Sequence, residues 1–571
     1  MSKNIKRNSS AGWLVSVIKY GLFACLFMPL IVHGSFIFTY IFPKQAFFQA
    51  VVEIIFALYL YLIFVEPRYR PRSSWLLKGL MIYFLMMVMS AIFGVNTYHS
   101  FWSNYERMAG VISILHYLAF LFLAAQIFKT KEEWHSFFNF SVMASFLEAL
   151  YALSKMFGAA NEATMRLDGT IGNPAFLAGY MLINAFFALW LMLEKKSLTW
   201  RIFYIFVIVL DLITMYKTQT RGAVLALVLS LGAMFLFFIF SRPKDLAQLP
   251  FKNPERLKKY VLAIFVFLFL AGVFIWLNRD SSFVKNNPTL NRVTHISTAE
   301  TTAQTRLLAW RMSLKGFLER PILGWGMENY NIVFNKYYDP RLYPTESWFD
   351  RSHNAYLDVL VHTGLLGFVA YLFCAVLMFW FLWRAWRQEK IKYFEMAIFM
   401  IILAGYGVQN IFLFDTQVTL LMISLIISFI VFLSFSSSLP EKHKINKPNA
   451  FFIFLLSLLT FLSFYFFNLK PALASLTGIQ ALEYLQRGEI KEANQKFKDA
   501  YNLGTFGLPE ITARAQDAAL QVLNRAGSAE NLKPEEKELV SVAVEGLKKA
   551  LKLEPQNVRL MMMLGNVYLA A

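Results

Sequence analysis

The stretch VTLLMISLIISFIVFLSF at residues 418–435 runs for 18 residues without a charge. A helix of that length rises about 27 Å, close to the hydrocarbon thickness of a bilayer. Similar runs recur at 13–42, 47–65, 75–95, 108–128, 137–157, 175–193, 198–216, 223–240, 260–277, 355–383, 394–414 and 451–467. Together they give about 13 transmembrane helices by hydropathy, the run interrupted by Arg201 being the weakest. The expected fold is all-α, a polytopic membrane bundle.

Composition agrees. Of 571 residues, 57% are hydrophobic, 17% aromatic and only 16% charged, with 58 Phe. Soluble domains carry about 25% charged residues, so most of this chain belongs in a bilayer, and a soluble enzyme with one anchor is excluded. Cys25 and Cys374 both sit inside apolar runs, so a disulfide framework, a zinc site or a thiol nucleophile in aqueous loops finds no support. The basic start, Lys3, Lys6 and Arg7, leads into an apolar run without a clear small-residue cleavage site and is read as a retained signal anchor.

The net charge of +19 would suit nucleic acid, but the placement of the charge points elsewhere. Alternate loops hold about 25 Lys and Arg against about 5 in the other short loops. That is a positive-inside signal, and no nucleic-acid partner is expected. It places the N-terminus in the cytoplasm, and the loop 278–354 and everything after residue 467 outside. The expected division is 1–74 as N-terminal transmembrane helices, 75–437 as a membrane core including the outer loop 278–354, 438–468 as a last transmembrane helix, and 469–571 as a soluble helical region.

From Ala472 onward the chain becomes rich in Ala, Glu, Lys, Gln and Leu. Tyr484, Gly488, Ala493, Phe497 and Ala500, then Ala543, Leu547, Ala550 and Pro555, fall at spacings that resemble tetratricopeptide repeats; generic helical hairpins are the alternative. Either way the region reads as a scaffold for a protein partner or an acceptor.

Charged residues at the outer face are costly unless used, which makes them the candidates for chemistry. Arg221 opens Arg221-Gly-Ala-Val-Leu225 at the outer end of a span. Its guanidinium offers a fork of donors suited to phosphate, against the bland reading of snorkelling. In the outer loop, 304–319 has Leu307, Leu308, Trp310 and Leu314 at helical spacing, an amphipathic helix for the membrane surface. Arg306 is expected in its first turn, where a cation opposes the helix dipole and a bound anion compensates it. Before the next span comes Asp350-Arg-Ser-His353-Asn354-Ala-Tyr-Leu357. With Ser352 or Asp350 as N-cap, His353 falls in the first turn, where the dipole favours the neutral, proton-accepting imidazole. A capping-region histidine without function is the alternative; His99, His116 and His295 are read that way.

At these residues the sequence resembles the O-antigen ligase superfamily: O-antigen ligases, O-antigen polymerases and protein O-oligosaccharyltransferases. The resemblance rests on Arg221–Leu225, Arg306 with Trp310, the Pro321–Gly326 run, and His353–Leu357 with Gly364 and Gly367. Arg107-Met-Ala-Gly110 and Arg166-Leu-Asp-Gly-Thr-Ile-Gly-Asn173 look like outer-loop motifs of the same family. It covers about residues 75 to 435 and implies a GT-C-like bundle in a bacterial inner membrane. The implied activity moves a glycan from undecaprenyl diphosphate to an acceptor hydroxyl on a lipid or a protein. In that reading Arg221 and Arg306 bind the diphosphate, His353 assists the acceptor, and Arg107, Arg166, Asn173 and Asn354 add weaker contacts. The C-terminal extension departs from the simplest lipopolysaccharide ligases and leaves the acceptor open.

A divalent metal is the rival for charge neutralisation. Outer carboxylates are Glu106, Glu162, Asp168, Glu300, Glu328, Asp339, Glu346, Asp350 and Asp415, but no Asp-x-Asp pair is present to hold Mg²⁺, so neither metal nor cofactor is expected. No phosphate loop of a nucleotide-driven transporter occurs. The competing readings are a polymerase, a lipid-linked glycan transporter, and a non-catalytic scaffold. A transporter should show midplane polar residues and two similar halves; Glu53, Glu148 and Asp211 are the nearest such residues, without clear duplication.

Overall fold

The computed structural model describes residues 11–156, 166–250, 253–295, 301–435 and 448–571, and among these all regular structure is helical. The carboxylates Glu162 and Glu300, and the boundary expected at 437/438, lie outside the described residues. Helices fall on the apolar runs because those runs lack breakers, and in a bilayer the backbone must satisfy its own hydrogen bonds. The N-terminal group is α1 (Gly12–Cys25), α2 (Phe42–Val65), α3 (Trp75–Phe93), α4 (Val111–Ile127) and α5 (Lys131–Ser154). Then come α6 (Pro174–Glu194), α7 (Leu198–Lys217), α8 (Arg221–Ile239) and α9 (Pro254–Leu277). The loop helix α10 (Thr301–Glu319) precedes α11 (Ala355–Arg387), α12 (Tyr393–Gln409), α13 (Gln417–Ser434) and α14 (Ala450–Phe464).

Among the described residues ten helices are long and apolar enough to cross a membrane, while α1, α4 and α12 are shorter at 14, 17 and 17 residues. The run expected to span 13–42 is not one helix. It stops at Cys25, passes through a 3₁₀ turn at Met28–Leu30 that contains Pro29, and resumes only at α2, with Pro43 in its first turn. Proline removes a backbone donor and ends the preceding turn. Lys44 then holds the intervening segment, donating to the carbonyls of Ile31 at 2.6 Å and Thr170 at 2.7 Å.

Burial separates centre from edge. In α6 and α13, 83% of the apolar window is buried in protein, against 22% in α8 and none in α9 and α14. Helix α8, which begins with Arg221, therefore presents Leu225, Val228 and Leu229 outward, as a lipid-facing helix does.

A π turn, Tyr465–Leu469, carries α14 into α15 (Lys470–Gln486), followed by α16 (Ile490–Asn502), α17 (Leu508–Ala526), α18 (Pro534–Leu553) and α19 (Val558–Ala570). Ala493, Phe497, Ala500, Ala543, Leu547 and Ala550 are all buried between these helices, where small side chains let the backbones approach. The same core continues into the membrane domain through Ile37, Phe42, Tyr105 and Met108. Tyr105 fixes the junction. Its amide donates to Glu510 at 2.7 Å and its hydroxyl to the Pro471 carbonyl at 2.7 Å, while His99 meets Glu554 at 3.0 Å.

Candidate functional site

The outer loop is fastened to α11 at a break in that helix. Gly364 has φ +62°, and a side chain there would collide with the Ile322 carbonyl. The Pro321–Gly326 run supplies partners to the broken turn: the Trp325 amide donates to the Val361 carbonyl at 2.9 Å, and Gly326 to His362 at 3.1 Å. In return the Leu365 amide donates to the Pro321 carbonyl at 2.7 Å. Non-helical backbone is tolerated at this depth because protein groups satisfy it. Gly324, at φ +73°, allows the two backbones to touch.

Immediately before α11 the chain makes the turn that holds His353. Asn354 is the N-cap, accepting from the amides of Tyr356 at 3.0 Å and Leu357 at 3.1 Å. The expected cap at Ser352 or Asp350 is thereby corrected, and His353 lies just outside the helix, at φ +56°. Left-handed backbone at a non-glycine residue is strained, and such strain gathers at functional sites. Ser103, Met108, Gln219 and Glu328 share it in neighbouring loops. The imidazole rests between Phe349, with centroids 4.8 Å apart, and Phe414, at 5.4 Å. Burial first, then the charges of Arg306 and Arg107, push its pKa down to about 4, with Asp350 opposing. The ring is neutral at pH 7, as expected, with burial rather than the helix dipole as the main cause.

Two arginines beside it are complemented by carboxylates. Arg107 grips Asp350 with two bonds, at 2.6 and 2.9 Å, and lies over the Phe414 ring. Burial works to raise the Asp350 carboxyl, but Arg107 and Arg351 bring it down to about 2. Arg351 pairs with Glu328, both buried, and the Ser103 hydroxyl donates to the other Glu328 oxygen at 2.8 Å.

Arg306 and Arg221 belong to α10 and α8. Arg306 is on α10, which starts at Thr301, so it lies beyond the first turn and the expected dipole opposition is weakened. Burial, then the like charge of Arg221, holds its guanidinium below the ordinary value. Arg221 opens α8 after Thr220, next to the strained Gln219. The electrostatics link the three residues in series: Arg221 acts on Arg306, and Arg306 on His353. Helix α10 buries Ala309, Met312 and Ser313 against protein and leaves Leu307, Leu314 and Leu318 exposed, the surface a membrane-lying helix uses.

The weaker candidates divide. Arg107 belongs to the His353 surroundings, and Asn354 shapes its turn. Arg166 donates to the Thr218 carbonyl at 3.1 Å, bracing the loop that leads to Arg221. Asn173 caps the start of α6, accepting from the Ala175 amide at 2.9 Å. Sequence reasoning passed over Arg351, Asp358 and His362. Asp358 and His362 stand four residues apart on one face of α11, and ionisable residues in an apolar span were the signal that could have found them.

Among the described residues no group of three His, Cys, Asp or Glu side chains is placed to hold a metal ion. Asp168, Asp339 and Asp350 meet Lys155, Arg341 and Arg107 instead. A neutral imidazole beside two neighbouring guanidinium groups can take a proton near a bound anion.

No curated protein matches the chain. Residues 205–372 match the family model described as O-antigen ligase, a stretch that contains Arg221, Arg306 and His353 and excludes Arg107, Arg166 and Asn173. Through that segment, the membrane core of this chain is similar to the O-antigen ligase family.

Proposed function

We propose that the protein is a glycosyltransferase moving a glycan from undecaprenyl diphosphate to an acceptor hydroxyl, on the extracytoplasmic side of a bacterial inner membrane. The observation that carries this is the series Arg221, Arg306, His353 inside the matched segment, at one end of the bundle and beside the lipid-facing α8. A lipid-borne donor reaches Arg221 from the bilayer without leaving it. The diphosphate rests on the two guanidinium groups. The acceptor oxygen attacks the anomeric carbon from the opposite face. Its proton passes to the His353 imidazole, the new C–O bond forms, and undecaprenyl diphosphate leaves with the electron pair, inverting the centre. Arginines stabilise the leaving charge in place of a metal.

Glu53 and Glu148 favour transfer over transport. Glu53 accepts from Ser463 at 2.7 Å and Asn468 at 3.1 Å, and Glu148 from the Thr170 amide at 2.7 Å, so these buried acids serve as internal braces. The C-terminal region is read as a tetratricopeptide-like module that docks a protein partner or positions the acceptor. Its contacts with Tyr105 and His99 reach the loop that carries Arg107.

The test is transfer from purified undecaprenyl-diphosphate glycan by wild type, His353→Ala, Arg221→Ala and Arg306→Ala, with chelator and without nucleotide. Loss in all three at unchanged melting supports the reading, and full transfer by the variants overturns the site. A product still attached to the lipid diphosphate identifies a polymerase; one on lipid A core or protein identifies a ligase.

A further inference from the structure

A cavity of about 600 Å³ lies between α3, α4, α11, α12 and α13, away from Arg221 and Arg306. Its volume falls within the about 300–1,000 Å³ typical of small-molecule sites. Most of its wall is apolar, Met87, Leu121, Met378 and Ile427 among others. Its head, at the end of the bundle that carries His353, is polar: Glu328, Arg351, Asp358, His362 and Asp415. Phe414 stands between this head and the His353 ring.

Two atoms at the head lack what burial demands. Asp358 is 5% exposed and His362 2%. Asp358 uses one carboxylate oxygen to accept from the Ser352 amide at 2.8 Å; its other oxygen and His362 Nε2 have no hydrogen-bond partner among the described residues. Asp358 and His362 stand on one helical face at this head and give it hydrogen-bonding character. The cavity also has a mouth. Leu372, Phe379 and Ile411 line it and are at least 36% exposed, with Ala404 beside them.

We propose that this cavity binds a single-chain amphiphile with a hydroxyl head, which enters sideways from the bilayer between α11 and α12. Charge selects the head. Among the described lining residues the cation is Arg351, already paired with Glu328, against three carboxylates, so a phosphate head is disfavoured. A hydroxyl both donates and accepts, which suits a head lined by carboxylates and an imidazole. The hydrocarbon chain lies along the apolar wall.

The experiment is photolabelling of the full-length protein in nanodiscs with diazirine-bearing hexadecanol and a diazirine-bearing isoprenoid alcohol, each against its phosphate monoester. The expected result is saturable labelling of α11 and α12 by the alcohols over the phosphates. The better alcohol identifies a straight or an isoprenoid chain. Ala404→Trp or Leu372→Trp, at the mouth, lowers labelling by about tenfold, a decade of affinity. Asp358→Asn lowers it for the alcohols without creating a preference for phosphate. Ile205→Trp, on the exposed face of α7, leaves it unchanged. Equal or stronger labelling by the phosphates overturns the hydroxyl head, and labelling insensitive to both mouth variants overturns the cavity as the site. Because the readout is binding, either failure leaves the transfer reading untouched.

Discussion

Two sets of arginines stand in the region of His353, one in the loops beside it and one on α8 and α10. Arg107 and Arg351 each lie against a carboxylate, Asp350 or Glu328, which makes them part of the architecture. Arg306 is half-buried, and after burial the like charge of Arg221 holds its guanidinium below the ordinary value. Internal complementarity fixes a loop, whereas a guanidinium held below its ordinary value by burial and a like charge gains from a bound anion. In the proposed reading, the first set builds the site and the second binds the donor's diphosphate.

Substitutions can break that division. His353→Ala is expected to lower transfer by about 10²–10⁴-fold, the usual contribution of a positioned base, at unchanged melting temperature. Arg306→Ala and Arg221→Ala are expected to cost about 10²–10³-fold in transfer through lost charge stabilisation, again without loss of thermal stability. Glu328→Ala should act on the other axis. Leaving Arg351 buried without its partner destabilises by about 3–5 kcal/mol, read as a drop in melting temperature, and the double variant with Arg351→Ala recovers part of it. Gly364→Ala forces a side chain onto left-handed backbone beside the Ile322 carbonyl and should cost about 1–3 kcal/mol by the same assay.

The pH dependence gives the smallest effect. His353 has a folded pKa of about 4 against an ordinary 6.5, so the unfolded chain takes up its proton first as pH falls. Its contribution to stability is complete above about 6.5 and is lost as pH drops towards about 4. Transfer by the folded enzyme should be insensitive to His353 protonation from pH 8 to about 5 and fall near 4. An acid limb centred near 6.5, absent in His353→Ala, would place the imidazole in a wetter site than the one described.

The helices were legible because apolar length is a property of consecutive residues. The run at 13–42 was misread by the same measure: hydropathy counts Pro29 and Pro43 as minor interruptions, whereas the backbone treats them as ends. The turn at His353 went wrong more locally. Asp350, Ser352 and Asn354 are all good caps, and the choice of Asn354 depends on where the outer loop delivers the chain to α11. The Arg351–Glu328 pair joins residues 23 apart with no periodic signal between them. The Pro321–Gly326 run was visible as a motif, but its role in completing the broken turn at Gly364 needs both backbones in view.

The most direct measurement records transfer and melting temperature together for Arg306→Lys and Arg351→Lys. Lysine keeps the charge but lacks the planar fork. Arg306→Lys should lose most transfer at wild-type stability, while Arg351→Lys should lose stability, its transfer falling only in step with the folded fraction. Wild-type transfer by Arg306→Lys, with transfer abolished in a fully stable Arg351→Lys, would assign the two sets of arginines the other way round.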